Sequence, residues 1–439
     1  MPRRLSVLRE VHCMLRGRFI GLTCAAAAVF AWSTMATAQA PAELAYDVEV
    51  KVAYNGEDVF WQLSWPTETP SLLHDVSVFR DGQWVRVNSG GVIGSEDRFT
   101  IMVDQGTVAG FANLGCYATC HAPVRSLDTA VGGDALADHP AYGQIGRNDI
   151  RKYIPDSRIG NMWWETAWDA VKPPEMLEDL REQGVFLDLW HWRAARSGSM
   201  GFADDQYVLE HRINDSGSGP NVSNVADGVP LRMFDPEKVG FAALRYDDIP
   251  NLTTADVYNL TTENSIEFDP DHEWQEGDVI PRLMIREPTG ARAAIRSDGQ
   301  WSDGRWTLEL QRAMDPGNPL VDIPFELGRT YNVAFGIFRD FTGTRYHHIS
   351  YPLKLGIGTP GAQLTAIGFL GDRPDWDEIE ATTIPVFYPA QVTMDWLLSD
   401  EHVVGWEMRE DTASCAACHG ATLEDVRWLS EQSIEATGE

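Results

Sequence analysis

The strongest constraint on the fold of this chain is a strict alternation of apolar and charged residues over residues 46–52. This is the period of a β-strand with one buried face. A second apolar segment, residues 59–65, follows after Asn55-Gly56. Asn-Gly between two such segments is the strongest short signal for a two-residue hairpin turn. The folded part of the chain is therefore predicted to begin as an antiparallel hairpin.

The same pattern recurs towards both ends of the chain. Further strands are predicted over residues 76–79, 84–87, 98–103, 301–310 and 330–338. Many short strands separated by turn residues predict a mainly β protein, built as an antiparallel β-sandwich.

The segment 106–278 is rich in Gly, Pro, Asp and Trp and has little periodicity. A long irregular stretch of this kind usually builds a site, so we expect it to hold long insertions in the sandwich. Short helices are predicted within it at residues 162–168 and 174–182.

The N-terminus has the order of a secretory signal. Five arginines precede an apolar run over residues 19–35, and small residues follow up to Ala40, with cleavage predicted near Ala38 or Ala40. The alternative is an uncleaved anchor, because the apolar run is about as long as a short membrane span. Cleavage predicts a periplasmic protein, and because no other long apolar segment follows, one with no integral membrane span.

The chain is strongly acidic, with a formal net charge of −30. Nucleic acids and anionic lipids bind through Lys and Arg, so this charge argues against both as partners. It fits a protein that docks on basic patches of other proteins, although an acidic surface also serves solubility alone.

The most informative motif lies near the C-terminus. Cys415, Cys418 and His419 form C-x-x-C-H, the attachment motif of c-type haem. Two thiols at this spacing add to the two vinyl groups of one porphyrin, and the adjoining histidine reaches the iron from one face. The alternatives are a local disulfide and half of a zinc site. The motif predicts a covalent haem c with His419 as proximal ligand.

A second motif contains one additional residue. Cys116, Cys120 and His121 form C-x-x-x-C-H. Flexible thiol side chains can still reach both vinyl groups, because the firm requirement is a histidine beside the second cysteine. The alternatives are a disulfide or a single thioether bond. This motif predicts a second covalent haem c, with His121 as proximal ligand.

These motifs stand in a wider sequence context that resembles a known family. The segments that carry the resemblance are residues 116–125, 151–155, 187–195, 203–207 and 301–310. The string Asp-Leu-Trp-His-Trp-Arg at residues 188–193 is the most specific. Together they resemble the ethylbenzene dehydrogenase-related haem-binding family, over residues 46–420. Its members include cytochromes of the c-552 type and haem subunits of molybdenum enzymes similar to dimethyl sulfoxide reductase.

The resemblance implies a β-sandwich similar to carbohydrate-binding modules, with haem at one end of the sheets. The molybdenum-enzyme subunits hold a non-covalent haem b through Met and Lys. This sequence departs from them because it has its own attachment motifs, which puts the Met/Lys pair in doubt. The departure favours a free-standing or docking cytochrome.

The distal iron ligands and the haem surroundings are predicted from position. His191 and His348 lead for the first haem, followed by His347, Met102 and Lys354, and His402 leads for the second, with Met408 closer to the motif. The residues predicted to neutralise haem propionates are Arg125, Arg151, Lys152 and Arg193. Trp190 and Trp192 either line the haem or pack the core, and any single histidine can instead be a surface residue.

Three segments are expected: a signal peptide (1–40), a β-sandwich haem domain (41–360) with attachment at 116–121, and a C-terminal segment (361–439) with the motif at 415–419. The predicted function is electron transfer by a periplasmic dihaem cytochrome rather than catalysis. Its predicted partners are redox proteins, such as a membrane quinol-oxidising cytochrome or a molybdenum oxidoreductase. The alternatives are a haem enzyme with an open distal site, which would reduce peroxide or a nitrogen oxide, and a sugar-binding module.

Overall fold

The structure is a computed structural model that describes the chain from residue 45 to residue 387 with gaps. The described residues are 45–87, 95–119, 131–132, 134–142, 149–150, 152–160, 168–339 and 347–387. All of them belong to one compact unit, Ala38–Glu439. The predicted signal peptide and the motif at 415–419 lie outside the described residues.

The described part is built mainly from strands. In chain order they are β1 (Ala45–Tyr54), β2 (Asp58–Pro66), β3 (Val76–Arg80), β4 (Gln83–Val87), β5 (Arg98–Asp104), β6 (Val131–Gly132), β7 (Asp149–Ile150), β8 (Leu187–Arg193), β9 (Phe202–Val208), β10 (Arg212–Asn214), β11 (Asn221–Ser223), β12 (Val225–Ala226) and β13 (Val229–Pro230). They continue with β14 (Arg232–Phe234), β15 (Leu244–Arg245), β16 (Leu260–Thr261), β17 (Ser265–Glu267), β18 (Asp278–Pro281), β19 (Leu283–Ile285), β20 (Ile295–Ser302), β21 (Arg305–Ala313), β22 (Thr330–Phe338), β23 (His348–Ser350), β24 (Leu353–Ile357), β25 (Leu364–Gly368) and β26 (Thr382–Phe387).

Helices in the described part are short. The α-helices are α1 (Phe111–Leu114), α2 (Asp134–Ala137), α3 (Pro174–Glu182) and α4 (Pro236–Val239), and the 3₁₀ turns are Gly115–Ala118, Pro155–Ser157, Gly198–Met200, Tyr246–Asn251, Gly290–Ala293 and Trp376–Glu378. The helix predicted over 174–182 is confirmed. Most of the other predicted helix, residues 162–168, lies outside the described residues. None of the described helices has the length and apolar character needed to span a lipid bilayer.

Ten strands close into a ring of antiparallel pairs. The order around the ring is β2, β21, β20, β9, β8, β5, β22, β23, β26 and β1, and β1 returns to β2. The mainly β, antiparallel prediction is therefore confirmed. The predicted two-sheet sandwich is not confirmed, because β1 pairs with β2 on one side and with β26 on the other. Closure of this kind gives every strand of the ring two hydrogen-bonded neighbours.

The hairpin predicted at Asn55-Gly56 is present, and a second hairpin divides the strand predicted over residues 301–310 into β20 and β21. Gly56 has a φ of 95°, and the side-chain oxygen of Asn55 accepts hydrogen bonds from the amides of Glu57 and Asp58 at 3.0 and 2.8 Å. Asp303 and Gly304, between β20 and β21, have φ values of 50° and 76°. Two consecutive positive φ values match the right-handed twist of the flanking strands.

The irregular middle segment supplies two strands of the ring. β8 and β9 are buried at every position and lie between β5 and β20 in the ring. A strand buried on both faces has no apolar-polar alternation, so the period-two pattern does not mark it. The segment 106–278 is therefore not only an insertion in the sheet.

Aromatic rings fill the inside of the ring of strands. Trp61 on β2 lies 6.3 Å from Trp190 on β8, and Trp65 lies 6.1 Å from Trp192. These strands are not neighbours in the ring, so their side chains meet across its interior. Edge-to-face contacts of this kind add to the stabilisation from apolar burial. Trp190 and Trp192 thus pack the core, which was one of their two predicted roles.

The sheet extends beyond the domain boundary predicted at residue 360. Strand β25 pairs with β1 and β24, and β26 pairs with β1 and β23. Pro360-Gly361, which suggested the boundary, lies in the turn between β24 and β25, where Gly361 has a φ of 89°. The ring therefore uses residues up to Phe387.

A test of the aromatic interior is Gly299→Ala in β20. A methyl group at this position would lie 2.5 Å from Cζ2 of Trp192, so the indole would have to move within a close-packed interior. We expect a loss of about 1–3 kcal/mol of unfolding free energy, measured by chemical denaturation. Thr307→Ala, at an exposed position of β21, is the control. Equal stability of both variants would show that the interior has room beside Trp192.

Candidate functional site

His191 lies in the middle of β8, opposite Thr100 of β5 and Asp204 of β9. Its side chain is 3% exposed. Side chains alternate between the faces of a strand, so His191 lies on the face opposite to Trp190 and Trp192, outside the aromatic interior. We call the surface that carries His191, Thr100 and Gly336 of β22 the His191 face.

The imidazole of His191 is held in one tautomer. Its Nδ1 lies 3.2 Å from Oε1 of Gln206. The amide nitrogen of Gln206 donates to Asp204 and to Asn214, so the amide oxygen is the atom turned to the histidine. Nδ1 is therefore the donor, and the lone pair is on Nε2. That atom is buried and has no hydrogen-bond partner among the described residues.

Burial and positive charge keep this imidazole neutral. Desolvation lowers the pKa of His191 well below its ordinary value, and Arg193, Arg212 and Arg98 lower it further. A neutral imidazole with a fixed Nδ1–H bond and a free Nε2 lone pair is the form that binds a transition metal. These arginines are themselves paired within the protein, Arg193 with Asp204 and Arg98 with Glu96.

The first cysteine of the motif at 116–121 lies on this side of the sheet. Cys116 is buried in the turn Gly115–Ala118, with its Sγ 3.9 Å from the carbonyl oxygen of Phe335 on β22. A methyl group on Gly115 would lie 3.3 Å from Cβ of Ala334, a residue that shares the face of Gly336. Since β5 alone separates β22 from β8, the strand that Cys116 contacts lies about two strand spacings, roughly 10 Å, from the strand of His191.

His348 is the first residue of β23 and His347 directly precedes it, and the two side chains lie on different faces of the sheet. His348 pairs with Ile337 and its ring lies 4.6 Å from that of Tyr46, on the interior side. The ring of His347 stacks on Phe338 at 4.0 Å and lies 3.5 Å from the position that a methyl group on Gly336 would take. His347 therefore lies near the His191 face, whereas His348 does not.

The other described candidates have protein partners or neighbours. Arg193 forms a buried ion pair with Asp204, which also binds Arg292, so its charge is already shared with a carboxylate. The Nζ of Lys354 donates to Asn332. Met102 is buried and pairs with Leu189 and Ala334. Lys152 is partly buried, just before the turn Pro155–Ser157.

Several predicted site residues lie outside the described residues. These are Cys120, His121, Arg125, Arg151, His402, Met408, Cys415, Cys418 and His419. Their roles in haem attachment and ligation therefore stay predictions.

Gln206 was not predicted as a functional residue. It is buried within β9 and fixes the tautomer of His191 through a contact between two strands. Nothing in its local sequence distinguishes it from a polar residue on a solvent-facing strand, because its role depends on the register of β8 and β9.

Glu96, just before β5, is a buried carboxylate that pairs with Arg98 at the start of β5 and with Arg196 after β8. Oε1 of Glu96 lies 2.5 Å from Nε of Arg196 and 3.6 Å from Nε of Arg98, and Oε2 accepts the amide hydrogen of Ala195 at 2.9 Å. Burial alone would raise the pKa of Glu96, but Arg196, His74 and Arg98 outweigh it and lower the pKa to about 2. Glu96 is therefore ionised and joins β5 to the segment after β8.

We expect Glu96→Gln to lower the free energy of unfolding by about 3–5 kcal/mol, because it leaves Arg196 and Arg98 buried without their counter-charge. The folded-state pKa of Glu96 lies below the ordinary value of 4.5. Its contribution is therefore complete above that pH and is lost as the pH falls towards 2. Chemical denaturation at a series of pH values from about 7 to about 2.5 measures the free energy of unfolding. The wild type should lose the Glu96 contribution as the pH falls, and the variant should not show this loss.

The control is Glu326→Gln, which removes an exposed pair with Arg329 and should cost about 0–1 kcal/mol. If both variants lost the same small amount, Glu96 would not be the counter-charge of the buried arginines.

Comparison with known proteins agrees with the resemblance seen in the sequence. No curated protein matches the chain. A model of the ethylbenzene dehydrogenase family matches residues 27–350, which is more than half of the chain and includes the ring strands from β1 to β22, the motif at 116–121 and His191. The chain therefore belongs to the ethylbenzene dehydrogenase family.

Proposed function

We propose that this protein is an exported electron-transfer protein, a c-type cytochrome with two covalently bound haems. The observation that carries the proposal is the state of His191. It is a buried, neutral imidazole whose tautomer is fixed by Gln206 and whose Nε2 lone pair has no hydrogen-bond partner among the described residues. A buried polar atom without a partner is costly, and a bound metal would remove that cost.

The described residues support the proposal of a haem on the His191 face. Cys116 lies on that side, against β22, which is about two strand spacings from β8, and the proposed thioether bonds come from Cys116 and Cys120, with His121 as proximal ligand. Arg125, Arg151 and Lys152 are the proposed partners of the haem propionates, because Arg193 is already paired with Asp204. Cys415, Cys418 and His419 are the proposed attachment site of the second haem, with His402 as its distal ligand.

The haem would supply a reversible one-electron couple. The protein residues then have three tasks in this proposal. His191 presents its lone pair in a fixed direction, Gln206 and Asp204 hold that direction, and burial of the His191 face excludes water. These tasks stabilise both redox states in one geometry, which is what electron transfer requires.

His191 is also why electron transfer is preferred over catalysis. A histidine that fills the distal position of the first haem leaves no open coordination site for peroxide or a nitrogen oxide. Of the two leading distal candidates, the geometry favours His191 over His348, because His348 lies on the interior side against Tyr46. His347 is the nearer of the two β23 histidines to the proposed haem.

The proposed partners are redox proteins of the periplasm. Membership in the ethylbenzene dehydrogenase family supports a link to a molybdenum oxidoreductase, either as its haem subunit or as its electron-transfer partner. The net charge of −30 supports docking on a basic surface, since opposite charges raise the rate of encounter. A membrane quinol-oxidising cytochrome is the other proposed partner.

The number of haems is tested by intact mass and a pyridine haemochrome spectrum of protein made in a host that matures c-type cytochromes. We expect a gain of two haem masses and a c-type spectrum. The double variant Cys415→Ser/Cys418→Ser should lose one haem. Cys116→Ser removes one of the two proposed thioether bonds at the other motif and should lower the amount of haem bound covalently there. A wild-type protein without covalent haem would overturn the proposal.

The role of His191 is tested separately with His191→Ala. Loss of the distal ligand should convert the first haem from low spin to high spin and allow it to bind carbon monoxide or cyanide, as seen by absorption spectroscopy. The matched control is His272→Ala at an exposed position, which should leave the spectrum unchanged. A low-spin, cyanide-resistant His191→Ala protein would show that His191 is a core histidine and not an iron ligand.

A further inference from the structure

A group of buried carboxylates lies on the interior side of β8 and β9, away from the His191 face. Asp188 and Asp205 belong to these strands, and Asp322 lies in the loop between β21 and β22. One carboxylate oxygen from each lies within 4.8 Å of the others, and all three residues are buried. Two oxygens bound on opposite sides of one cation are separated by about this distance.

The hydrogen bonds of the group leave several oxygens uncommitted. Oδ2 of Asp188 accepts from Nη1 of Arg312 at 2.6 Å and from the amide of Ile323 at 3.0 Å. Neither oxygen of Asp205 has a hydrogen-bond partner among the described residues. The Asp205 side chain is 0% exposed, so it is a fully buried, unpartnered carboxylate directed at Asp188 and Asp322.

A fourth carboxylate increases the imbalance of charge. Asp215, 5% exposed, interacts electrostatically with Asp322 and Asp188. Burial, Asp322 and Asp188 raise the pKa of Asp215 to about 8, and burial and Asp188 raise that of Asp322 to about 7. Arg312 is the cation that the described residues place against Asp188 and Asp322. Four buried carboxylates around one guanidinium need further positive charge, either as protons or as a bound cation.

We propose that Asp188, Asp205 and Asp322, with Asp215 beside them, bind one divalent cation, and that this cation is Ca²⁺. The donors are all carboxylate oxygens, which hard cations prefer over the nitrogen and sulfur donors of transition metals. The three residues are nearly inaccessible to solvent. Mg²⁺ usually retains several waters, whereas Ca²⁺ accepts a cage of protein oxygens.

The site would join parts of the ring that are far apart in sequence. Asp188 is on β8, Asp205 on β9 and Asp322 in the loop before β22. Arg312, which binds Asp188, stacks 4.5 Å over the ring of Trp190 and donates to the carbonyl oxygen of Ile323. A cation here would stabilise the fold at the end of the aromatic interior. This inference does not depend on the proposed electron-transfer function.

The test uses the full mature protein, stripped with EDTA and then dialysed against CaCl2 or MgCl2. We expect about one calcium per chain by inductively coupled plasma mass spectrometry, and a melting temperature about 2–5 °C higher with CaCl2 than with EDTA. Mg²⁺ should give a smaller increase. Asp205→Asn should lower the calcium affinity at least tenfold, while Asp271→Asn, at an exposed position, should bind calcium as the wild type does.

A wild-type protein that binds no calcium and melts at the same temperature in CaCl2 and EDTA would overturn the proposal, because the carboxylates would then be held by protons. Unchanged calcium binding by a folded Asp205→Asn protein would also overturn it. If Asp205→Asn does not fold, Asp322→Asn replaces it under the same criteria. Haem content, measured on the same samples, reports separately on the electron-transfer proposal.

Discussion

The structure depends on a strand that is buried along its whole length. β8 pairs with β5 and β9, and its alternate residues serve two different environments. On one side Trp190 and Trp192 pack across the interior against Trp61 and Trp65. On the other side lies His191. Because the interior is close-packed, the position of His191 is fixed by contacts on the opposite face of its own strand.

Buried polar groups are organised around this strand in two separate regions. Near its C-terminal end, next to His191, Arg193 is paired with Asp204 and Arg196 with Glu96. Near its N-terminal end, Asp188 lies with Asp205 and Asp322 in a region with excess negative charge. Such groups cost free energy unless they are paired, so their presence in the core of a mainly apolar ring points to function or to a bound ion. The strand carries the arginine pairs on one face and the carboxylate group on the other.

The closed ring explains how these regions are kept in register. Each ring strand has two hydrogen-bonded neighbours, so a one-residue slip of β8 would exchange Trp190 for His191 in the interior. At Gly299, a methyl group would lie 2.5 Å from Cζ2 of Trp192, so a larger residue there would require the indole to move. The relation between His191, Gln206 and Asp204 is therefore a property of the whole sheet.

The sequence by itself determined the mainly β, antiparallel character, the hairpin at Asn55-Gly56, the helix Pro174–Glu182 and the family. These features depend on residues close together in the chain, where alternation, turn residues and motif spacing act directly. Only the tertiary structure decided that the strands close into a ring and that β8 and β9 belong to it. It also decided that Gln206, rather than a neighbouring residue, forms the hydrogen bond with His191. It also brought Asp188, Asp205 and Asp322 together. Those features depend on pairing between distant segments, and a strand buried on both faces has no local pattern from which its partners could be predicted.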